Sequence, residues 1–371
     1  MAILSEEQTM LRDMARDWAK EKSPVSAFRA LRDSGSSTGF DPQTYQQMAE
    51  MGWSGVIIPE AYGGSEFGYL GFGLVLEETG RTLTASPLLS SALGAASALI
   101  LAGTETQKEA WLPNIASGAT IGTLAIDESE HHDPEKIETT ATPDGDGWVI
   151  NGRKAFVAEG DAADLFVTAA KTSKGVALFL IPGDAAGIER ENRKMADSRS
   201  HADITFTNVK LPAEGLLGDE DGKALLEKVL DRVRIGTAAE MLGLSQQAFD
   251  TTLDYLKTRE QFGEIIARFQ ALQHRMAKLF TEIELTRSTV EAALQALDQD
   301  RSDVPVMASL AKAVANETTH LMSREMIQLH GGIGMTDDYE AGFYLKRARV
   351  LEQMYGNASF HRERFAKLNG Y

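Results

Sequence analysis

Apolar residues recur every three or four positions in the first third of the chain, the spacing typical of amphipathic helices. Ser5 stands before Glu6 and Glu7 at the start of the first such stretch, which predicts a capped helix N-terminus. The same spacing predicts helices over residues 69–81 and 88–103, and the Pro- and Gly-rich segment PEAYGGSEFG precedes them. We therefore predict an N-terminal helical domain over residues 1–120.

The hydrophobic pattern changes near Thr123, where short runs rich in β-branched and aromatic residues begin. Gly, Pro, Asn and Asp residues bound these runs, as is typical of strands joined by turns. The predicted strands lie in GWVINGRKAFVAEG, DLFVTAA, VALFLIP and ADITFTNVKLP. Strands of this number and length predict a compact antiparallel barrel or sandwich over residues 121–218.

Helical spacing returns near Asp221 and continues over long stretches with few Gly or Pro residues. This pattern predicts a C-terminal domain similar to a four-helix bundle over residues 219–371. The order of helices, strands and helices predicts the α+β class, with a β domain between two helical domains. The sequence contains neither a GxGxxG segment after a strand nor a Walker loop, so it predicts no Rossmann or P-loop nucleotide site.

Composition and charge narrow the function classes. Hydrophobic residues make up 43% and charged residues 25% of the 371 positions, as in an ordinary globular protein. The net charge of −17 argues against nucleic acid or an anionic membrane surface as a partner. The chain has no cysteine, which excludes disulfides, thiolate metal sites and cysteine nucleophiles. The acidic N-terminal segment has no signal-peptide pattern, and we expect a cytoplasmic location.

Five segments carry a resemblance to a known family. They are QLHGGIGMT (328–336), YLKRAR (344–349), TREQFGEIIARFQALQHRMA (258–277), IPEAYGG (58–64) and GWVINGRKAFV (147–157). Along the chain these segments stand in the same order as in the acyl-CoA dehydrogenase family of flavoproteins, and they resemble that family over essentially the whole chain. The resemblance implies the same helix, sheet and helix arrangement, FAD as cofactor, and α,β-dehydrogenation of an acyl-CoA thioester in lipid or steroid catabolism. It also implies electron-transferring flavoprotein as the electron acceptor.

The resemblance assigns a set of residues to the flavin, which the family holds at a contact between subunits of a dimer or tetramer. Arg259 would oppose the pyrophosphate charge, and Phe156 would pack against the isoalloxazine edge. The full set is Phe156, Arg259, Phe262, Gln270, Gln328, Gly331 and Gly332. Simpler interpretations stay open: a solvated arginine at a helix end, a core phenylalanine, and a glycine turn that only ends a helix.

The resemblance also assigns residues to the acyl-CoA substrate. Asp231 and Arg234 match the family's polar pair near the coenzyme A moiety, on a helix that lines the substrate. An exposed ion pair between positions i and i+3 is the alternative interpretation. Val233 and Tyr355 complete the substrate set.

The usual catalytic base is missing. In the family a carboxylate removes a C2 proton while a hydride passes from C3 to the flavin, and the carboxylate stands in a YEGT-like loop near the C-terminus. Here that loop reads MYGNASF, so the glutamate position falls on Gly356. A minority of members carry the glutamate one residue before the matched Arg234, and Val233 occupies that position. The backbone N–H of Gly356 could still polarise the thioester carbonyl.

Glu240 is the one candidate replacement for the base. It follows Val233 by seven residues, so both lie on nearly the same face of a helix, about 10.5 Å apart along the axis. The alternative is that Glu240 satisfies a neighbouring side chain or shapes the acyl pocket. Its distance from the usual base position is the main objection.

The segment IDESEHHDP also departs from the family's flavin and coenzyme loop. Asp127 and Glu128 keep its acidic start, but its Gly-Ser pair is missing. His131 and His132 are adjacent and lack the spacing of helical metal ligands, so we expect no metal site.

Three functions remain open on this sequence. The first is an acyl-CoA dehydrogenase that acts alone as a homo-oligomer with an unorthodox base. The second is the partner subunit of a heterotetramer, in which a sister chain supplies the catalytic glutamate. The third is a flavoprotein that catalyses a different elimination and needs no C2 base.

Overall fold

The structure, a computed structural model, describes residues 4–371. Its N-terminal third is helical, as predicted. Ser5 caps the first helix: its hydroxyl accepts from Gln8 N at 3.1 Å, and the Gln8 side chain accepts from Ser5 N at 3.0 Å. The helices are α1 (Glu6–Lys22), α2 (Val25–Ser34), α3 (Pro42–Glu50), α4 (Gly68–Arg81), a π-helix (Leu88–Ala95) that continues into α5 (Ala96–Ala102), and α6 (Glu105–Ala116).

Eight strands form one sheet in the middle of the chain. They are β1 (Gly122–Ala125), β2 (Thr140–Asp144), β3 (Gly147–Ala158), β4 (Leu165–Lys171), β5 (Val176–Pro182), β6 (Ile188–Lys194), β7 (Ser200–Leu211) and β8 (Leu216–Leu217). The strand order is β6-β7-β3-β2-β4-β5-β8, with β1 beside β4. The predicted middle β domain is confirmed, and its pairs are antiparallel except that β1 and β2 each pair with β4 in parallel. Phe166, Phe179 and Phe206 fill its core.

Long helices follow the sheet, which confirms the predicted helical C-terminal region. They are α7 (Lys223–Thr258), α8 (Gln270–Asp298), α9 (Val304–His330), α10 (Ala341–Gln353) and α11 (Ala358–Leu368). A short hairpin of β9 (Glu260–Gln261) and β10 (Glu264–Ile265) separates α7 from α8. Among the described residues, no helix combines the length and hydrophobicity that a bilayer span requires.

The chain divides into two compact units. One consists of the residues up to Arg29, Gly73–Thr84 and Arg234–Tyr371, and it is helical. The other consists of Ala30–Phe72 and Ala85–Val233, and it contains the eight-stranded sheet. The three domain boundaries given by the sequence stay a prediction.

Candidate active site

The turn after α10 is the segment that corresponds to the family's catalytic loop. Tyr355 and Gly356 both have positive φ angles, 55° and 111°. The Tyr355 carbonyl accepts a hydrogen bond from His361 Nε2 at 3.0 Å. Gly356 N donates to Gln353 O at 3.3 Å, a long bond that a better acceptor could replace. The turn therefore presents backbone groups and no carboxylate of its own.

Two fully buried cations contact the carbonyl oxygens of this turn. Lys312 Nζ donates to Gly356 O at 3.1 Å, to Leu351 O at 2.9 Å and to Asn316 Oδ1 at 2.8 Å. Arg234 Nε approaches Tyr355 O at 3.5 Å. Burial lowers the pKa of Lys312 to about 7, and the Glu352 charge opposes this shift while that of Arg234 adds to it. Lys312 and Arg234 thus hold the turn through its backbone carbonyl oxygens.

Residue 356 has no room for a side chain. A Cβ atom there would lie 2.5 Å from Phe360 Cδ1 and 2.8 Å from His361 Nε2. The φ angle of 111° is also one that only glycine adopts without strain. A glutamate at this position therefore requires the Phe360 ring to move.

Glu240, the candidate base, is 7% exposed and is held in an ion pair. Its Oε1 atom accepts from Arg347 Nε and from Arg347 Nη2, each at 2.8 Å. Arg347 is itself buried. The carboxylate is thus engaged by Arg347 and would have to leave these hydrogen bonds before it could take a proton from a substrate. This geometry supports the alternative interpretation, in which Glu240 satisfies a neighbouring side chain.

The polar pair on α7 is buried. Asp231 and Arg234 are 2% and 0% exposed, which excludes the exposed ion pair considered above. The guanidinium carbon of Arg234 lies 5.5 Å from the centroid of the Phe360 ring. Val233 is also fully buried, and a Cβ at Gly94 would lie 3.3 Å from its Cγ1 atom. Buried charges on one helix turn are costly and are retained where they have a partner or a ligand.

Phe156 stands on an irregular part of the sheet. The pairing of β3 with β7 shifts register between Lys154 and Val157, and Phe156 has a φ of 52° while its side chain is 41% exposed. Phe156 N donates to Asp203 Oδ1 at 3.0 Å. A strained, half-exposed aromatic residue at a register shift is typical of a ligand contact.

Asp203 binds the N–H of Phe156 and is itself held by two arginines. Its carboxylate accepts from Arg193 Nε at 2.8 Å and also contacts Arg153. Burial acts to raise the pKa of Asp203, but the hydrogen bonds from Arg193 and from the Phe156 N–H, with the charges of both arginines, outweigh it and lower the pKa.

The loop that departs from the family's flavin motif is held by its own ion pairs. Lys154 Nζ donates to Glu128 Oε1 at 2.6 Å and to Ile126 O at 3.0 Å, and burial lowers the pKa of Lys154 to about 8. His132 Nδ1 lies 2.9 Å from both carboxylate oxygens of Asp127. Within residues 4–371, no group of three or more His, Asp and Glu side chains could hold a metal ion.

The segment after α7 projects its predicted flavin residues outward. Phe262 stands between the two strands of the short hairpin, with a φ of 57° and a side chain that is 93% exposed. The backbone of Arg259 is fixed, since its N–H donates to Tyr255 O and its carbonyl accepts from Ile266 N, each at 2.9 Å. Arg259 and Gln270 are exposed. The Phe262 ring, which lies 6.2 Å from the Phe269 ring between centroids, is therefore accessible to a ligand or a neighbouring chain.

The turn after α9 is open as well. A Cβ atom at Gly331 or at Gly332 would meet nothing within 4 Å, and Gln328 is exposed. His330 fixes the turn from behind, since its Nδ1 lies 2.7 Å from Met326 O and its Nε2 lies 2.9 Å from Tyr339 Oη. These glycines leave free space in front of the backbone. The exposed Arg259, Phe262 and the two glycines together fit the charge, the ring and the close approach that a dinucleotide needs.

The structure therefore gathers some of the predicted residues and not others. Arg234, Tyr355 and Gly356 share one buried cluster, whereas Glu240 is engaged by Arg347. Sequence reasoning missed Lys312 and Asp203. Lys312 had a visible signal, because it is a lone cation in the apolar helical run ASLAKAVA. Asp203 had no such signal, because polar and apolar residues alternate in an ordinary strand and one aspartate does not stand out.

Comparisons with known proteins agree with this geometry. Three family models match the chain: the N-terminal domain of acyl-CoA dehydrogenase over residues 5–119, its middle domain over 124–209 and its C-terminal domain over 220–368. A probable acyl-CoA dehydrogenase of Bacillus subtilis is 34% identical over 97% of both chains. A caffeyl-CoA reductase–Etf complex subunit of Acetobacterium woodii is 31% identical over 94% of both.

Solved structures give the same result. A variant of the Tcur3481–Tcur3483 steroid ACAD is 32% identical, with a TM-score of 0.91 over 98% of both chains. The ChsE4–ChsE5 complex from Mycobacterium tuberculosis is 25% identical, with a TM-score of 0.93 over the full length of both chains.

Proposed function

The chain belongs to the acyl-CoA dehydrogenase family, and on this premise we propose that it binds FAD and an acyl-CoA thioester but depends on a sister chain for the base that removes the C2 proton. As a family member it is an oxidoreductase of the acyl-CoA dehydrogenase type, and the family is FAD-dependent. The sister chain, the bound flavin and the substrate identity belong to the proposal.

One observation carries the proposal: both carboxylate positions of the family lack a carboxylate, and the candidate substitute is engaged elsewhere. Gly356 has no space for a side chain, and Val233 is apolar. Glu240 holds a buried arginine. Glu240 would have to give up two buried hydrogen bonds from Arg347 in order to serve as a base.

The remaining predicted residues serve binding. Arg259 would oppose the pyrophosphate of FAD, Phe156 would contact the isoalloxazine edge, and Gly331 with Gly332 would admit the close approach of the cofactor. The other proposed contacts are Phe262, Gln270 and Gln328. The chemistry that bound FAD supplies is acceptance of a hydride from C3 of the acyl group.

The acyl-CoA thioester would be bound by the buried residues of α7 and of the turn after α10. The Gly356 N–H would donate to the thioester carbonyl in place of its long bond to Gln353 O. Asp231, Val233, Arg234 and Tyr355 would contact the coenzyme and acyl portions. Polarisation of the thioester therefore survives in this chain, while proton removal does not.

Two partners follow from this proposal. A heteromeric arrangement is supported by the similarity to the ChsE4–ChsE5 complex. Electron-transferring flavoprotein as acceptor is supported by the similarity to a subunit of a caffeyl-CoA reductase–Etf complex.

Because Phe262, Gly331 and Gly332 project outward, we expect flavin to be held at a subunit contact and to be released on dilution below the dissociation constant of the oligomer.

The test is anaerobic flavin reduction by the purified FAD-loaded chain, with acyl-CoA thioesters that range from butyryl-CoA to steroid side-chain thioesters. Binding is first established by the change in the flavin spectrum, so that slow reduction is not mistaken for absence of binding. We expect the thioester to bind and reduction by this chain alone to be slow. Fast reduction by the chain alone contradicts the sister-chain proposal.

A second candidate function, a homo-oligomeric dehydrogenase with Glu240 as its base, rests on the burial of that carboxylate. Glu240→Gln tests it, with Arg347→Met as the matched control, because both variants break the same ion pair but only one removes the carboxylate. If the chain is fast and Glu240→Gln alone is slow, Glu240 is the base. If both variants are equally slow, the loss is structural.

A further inference from the structure

Lys312 is a buried cation to which neither the family resemblance nor the proposed mechanism assigns a role. It lies in α9, its side chain is fully buried, and its Nζ atom has three hydrogen-bond partners. These partners come from three segments: Asn316 one turn further along α9, Leu351 O in α10, and Gly356 O in the turn after α10. Asn316 Nδ2 also donates to Gly356 O at 3.3 Å. Lys312 therefore joins the end of α10 and the following turn to α9.

The partners of Lys312 are all neutral oxygens, and their number matches the charged form of the side chain. An ammonium group has three N–H donors, whereas a neutral amine has two and directs a lone pair at the remaining acceptor. Only protonated Lys312 can satisfy Asn316 Oδ1, Leu351 O and Gly356 O at the same time. Loss of the proton therefore weakens the attachment of one of these segments.

Two charged groups act on Lys312, one from α7 and one from α10. Arg234 in α7 disfavours the ammonium form, and Glu352 in α10 favours it. Glu352 is itself bound by Arg349, with its Nη1 at 2.8 and 2.7 Å from the two carboxylate oxygens, and by His320 Nδ1 at 3.2 Å. His361 in α11 binds the Tyr355 carbonyl. Burial outweighs the Glu352 charge, which brings the pKa of Lys312 to about 7.

We propose that Lys312 is a positioning residue whose ammonium group holds the Tyr355–Gly356 turn in the conformation that directs the Gly356 N–H toward the thioester carbonyl. Its action is indirect, since it contacts Gly356 O and not the substrate. The positioning of the turn stands on the contacts of Lys312 alone, while its use for the thioester rests on the proposed function.

The first measurement is amide hydrogen exchange of the full chain, followed at Met354 and Gly356 and normalised to the exchange rates of an unstructured peptide. In the parent, we expect protection of these amides to fall as the pH rises from 6 to 8.5. In Lys312→Met we expect protection to be at least about 10-fold lower at pH 6 and independent of pH, because a charged donor is lost. Arg364→Met is the matched control, because Arg364 is a cation of α11 whose Nη1 donates to Pro305 O and to Ser309 Oγ in α9.

The outcome separates a positioning role from general support of the helices. Equal loss of protection in Lys312→Met and Arg364→Met overturns the proposal. If Lys312→Met is too unstable to purify, Asn316→Ala decides, because it removes one acceptor of Lys312 and the bond from Asn316 Nδ2 to Gly356 O. We expect lower protection in Asn316→Ala at pH 6, and unchanged protection overturns the proposal.

The second measurement is the affinity of the FAD-loaded chain for butyryl-CoA, read from the flavin spectrum at pH 6. We expect Lys312→Met to weaken binding by about 10-fold and Arg364→Met to leave it unchanged. Unchanged affinity in Lys312→Met, with the exchange result as expected, overturns the use of Gly356 for the thioester and leaves the positioning of the turn intact.

Discussion

Two glycine turns of the helical unit differ in how the chain itself surrounds them. Gly356 lies under the Phe360 ring and His361, and its carbonyl is held by Lys312. Gly331 and Gly332 have empty space where a side chain would stand. The first turn is complete within one chain, whereas the second is shaped for something that the chain does not contain. Under the proposed function, this difference means that the substrate side of the site is preformed, while the cofactor side is completed by FAD or a neighbouring subunit.

The largest expected effect comes from placing a carboxylate side chain at position 356. Gly356→Glu combined with Phe360→Ala removes the overlap with the ring and supplies the missing base, and it leaves the 2.8 Å contact of the new Cβ with His361 Nε2. We therefore expect anaerobic flavin reduction to rise by about 10²–10⁴-fold. Gly356→Gln with Phe360→Ala is the control, because it has the same shape without a base. Equal rates in the two double variants would show that the missing carboxylate is not what limits the chain.

A matched pair of alanines tests the comparison directly. Gly356→Ala should lower the free energy of unfolding by about 2–4 kcal/mol, since it adds overlap with Phe360 to an unfavourable φ angle. Gly332→Ala should stay within about 0.5 kcal/mol of the parent, because its Cβ meets no atom of the chain. Urea denaturation of both variants measures this. A destabilised Gly332→Ala would mean that the second turn is also filled by the chain itself.

FAD affinity tests the exposed residues that we assign to the cofactor. Arg259→Ala should weaken FAD binding by about 1.5–3 kcal/mol if a charge-assisted hydrogen bond is lost, without a change in the stability of the apoprotein. Arg268→Ala is the control, since Arg268 is also exposed near the hairpin but pairs with Glu264 at 2.6 Å. Equilibrium titration with FAD measures both. Equal affinity in the parent and Arg259→Ala would return Arg259 to the role of a solvated surface residue.

The free energy of unfolding should also depend on pH through Lys312, which holds the Gly356 turn. The pKa of Lys312 is about 7 in the folded chain against an ordinary 10.5. Between these values the unfolded chain binds a proton that the folded chain does not, so this group makes the free energy of unfolding rise with pH, by up to about 1.4 kcal/mol per pH unit. Urea denaturation at pH 6, 7.5 and 9 should show the parent gaining stability relative to Lys312→Met. A constant difference would place the pKa of Lys312 near its ordinary value.

The fold was largely predictable because burial leaves a periodic pattern. The helices at residues 69–81 and 88–103 and the apolar strands β4 and β5 were read from that pattern and are present. Strand β6 was missed, because IERENRK is almost wholly polar and exposed at the edge of the sheet. Its pairing with β7 depends on backbone hydrogen bonds, which leave no trace in hydrophobicity.

The site was predictable only where a contact is local in sequence or where a family motif marks it. The spacing of Val233 and Glu240 correctly indicated a shared buried face of α7. The partner of Glu240 could not be found in this way, since Arg347 is 107 positions away and no periodicity connects them. The three acceptors of Lys312 likewise come together only through packing of α9 against α10.

The overlap that a Cβ at residue 356 would make with Phe360 has a consequence for the evolutionary paths open to this chain. A glutamate that arises at this position by a single mutation meets the ring and costs stability before it can add activity. A smaller residue at position 360 has to come first, and that change confers no catalytic benefit by itself. Under the proposed function, Phe360 therefore makes dependence on a sister chain for the base easier to keep than to reverse.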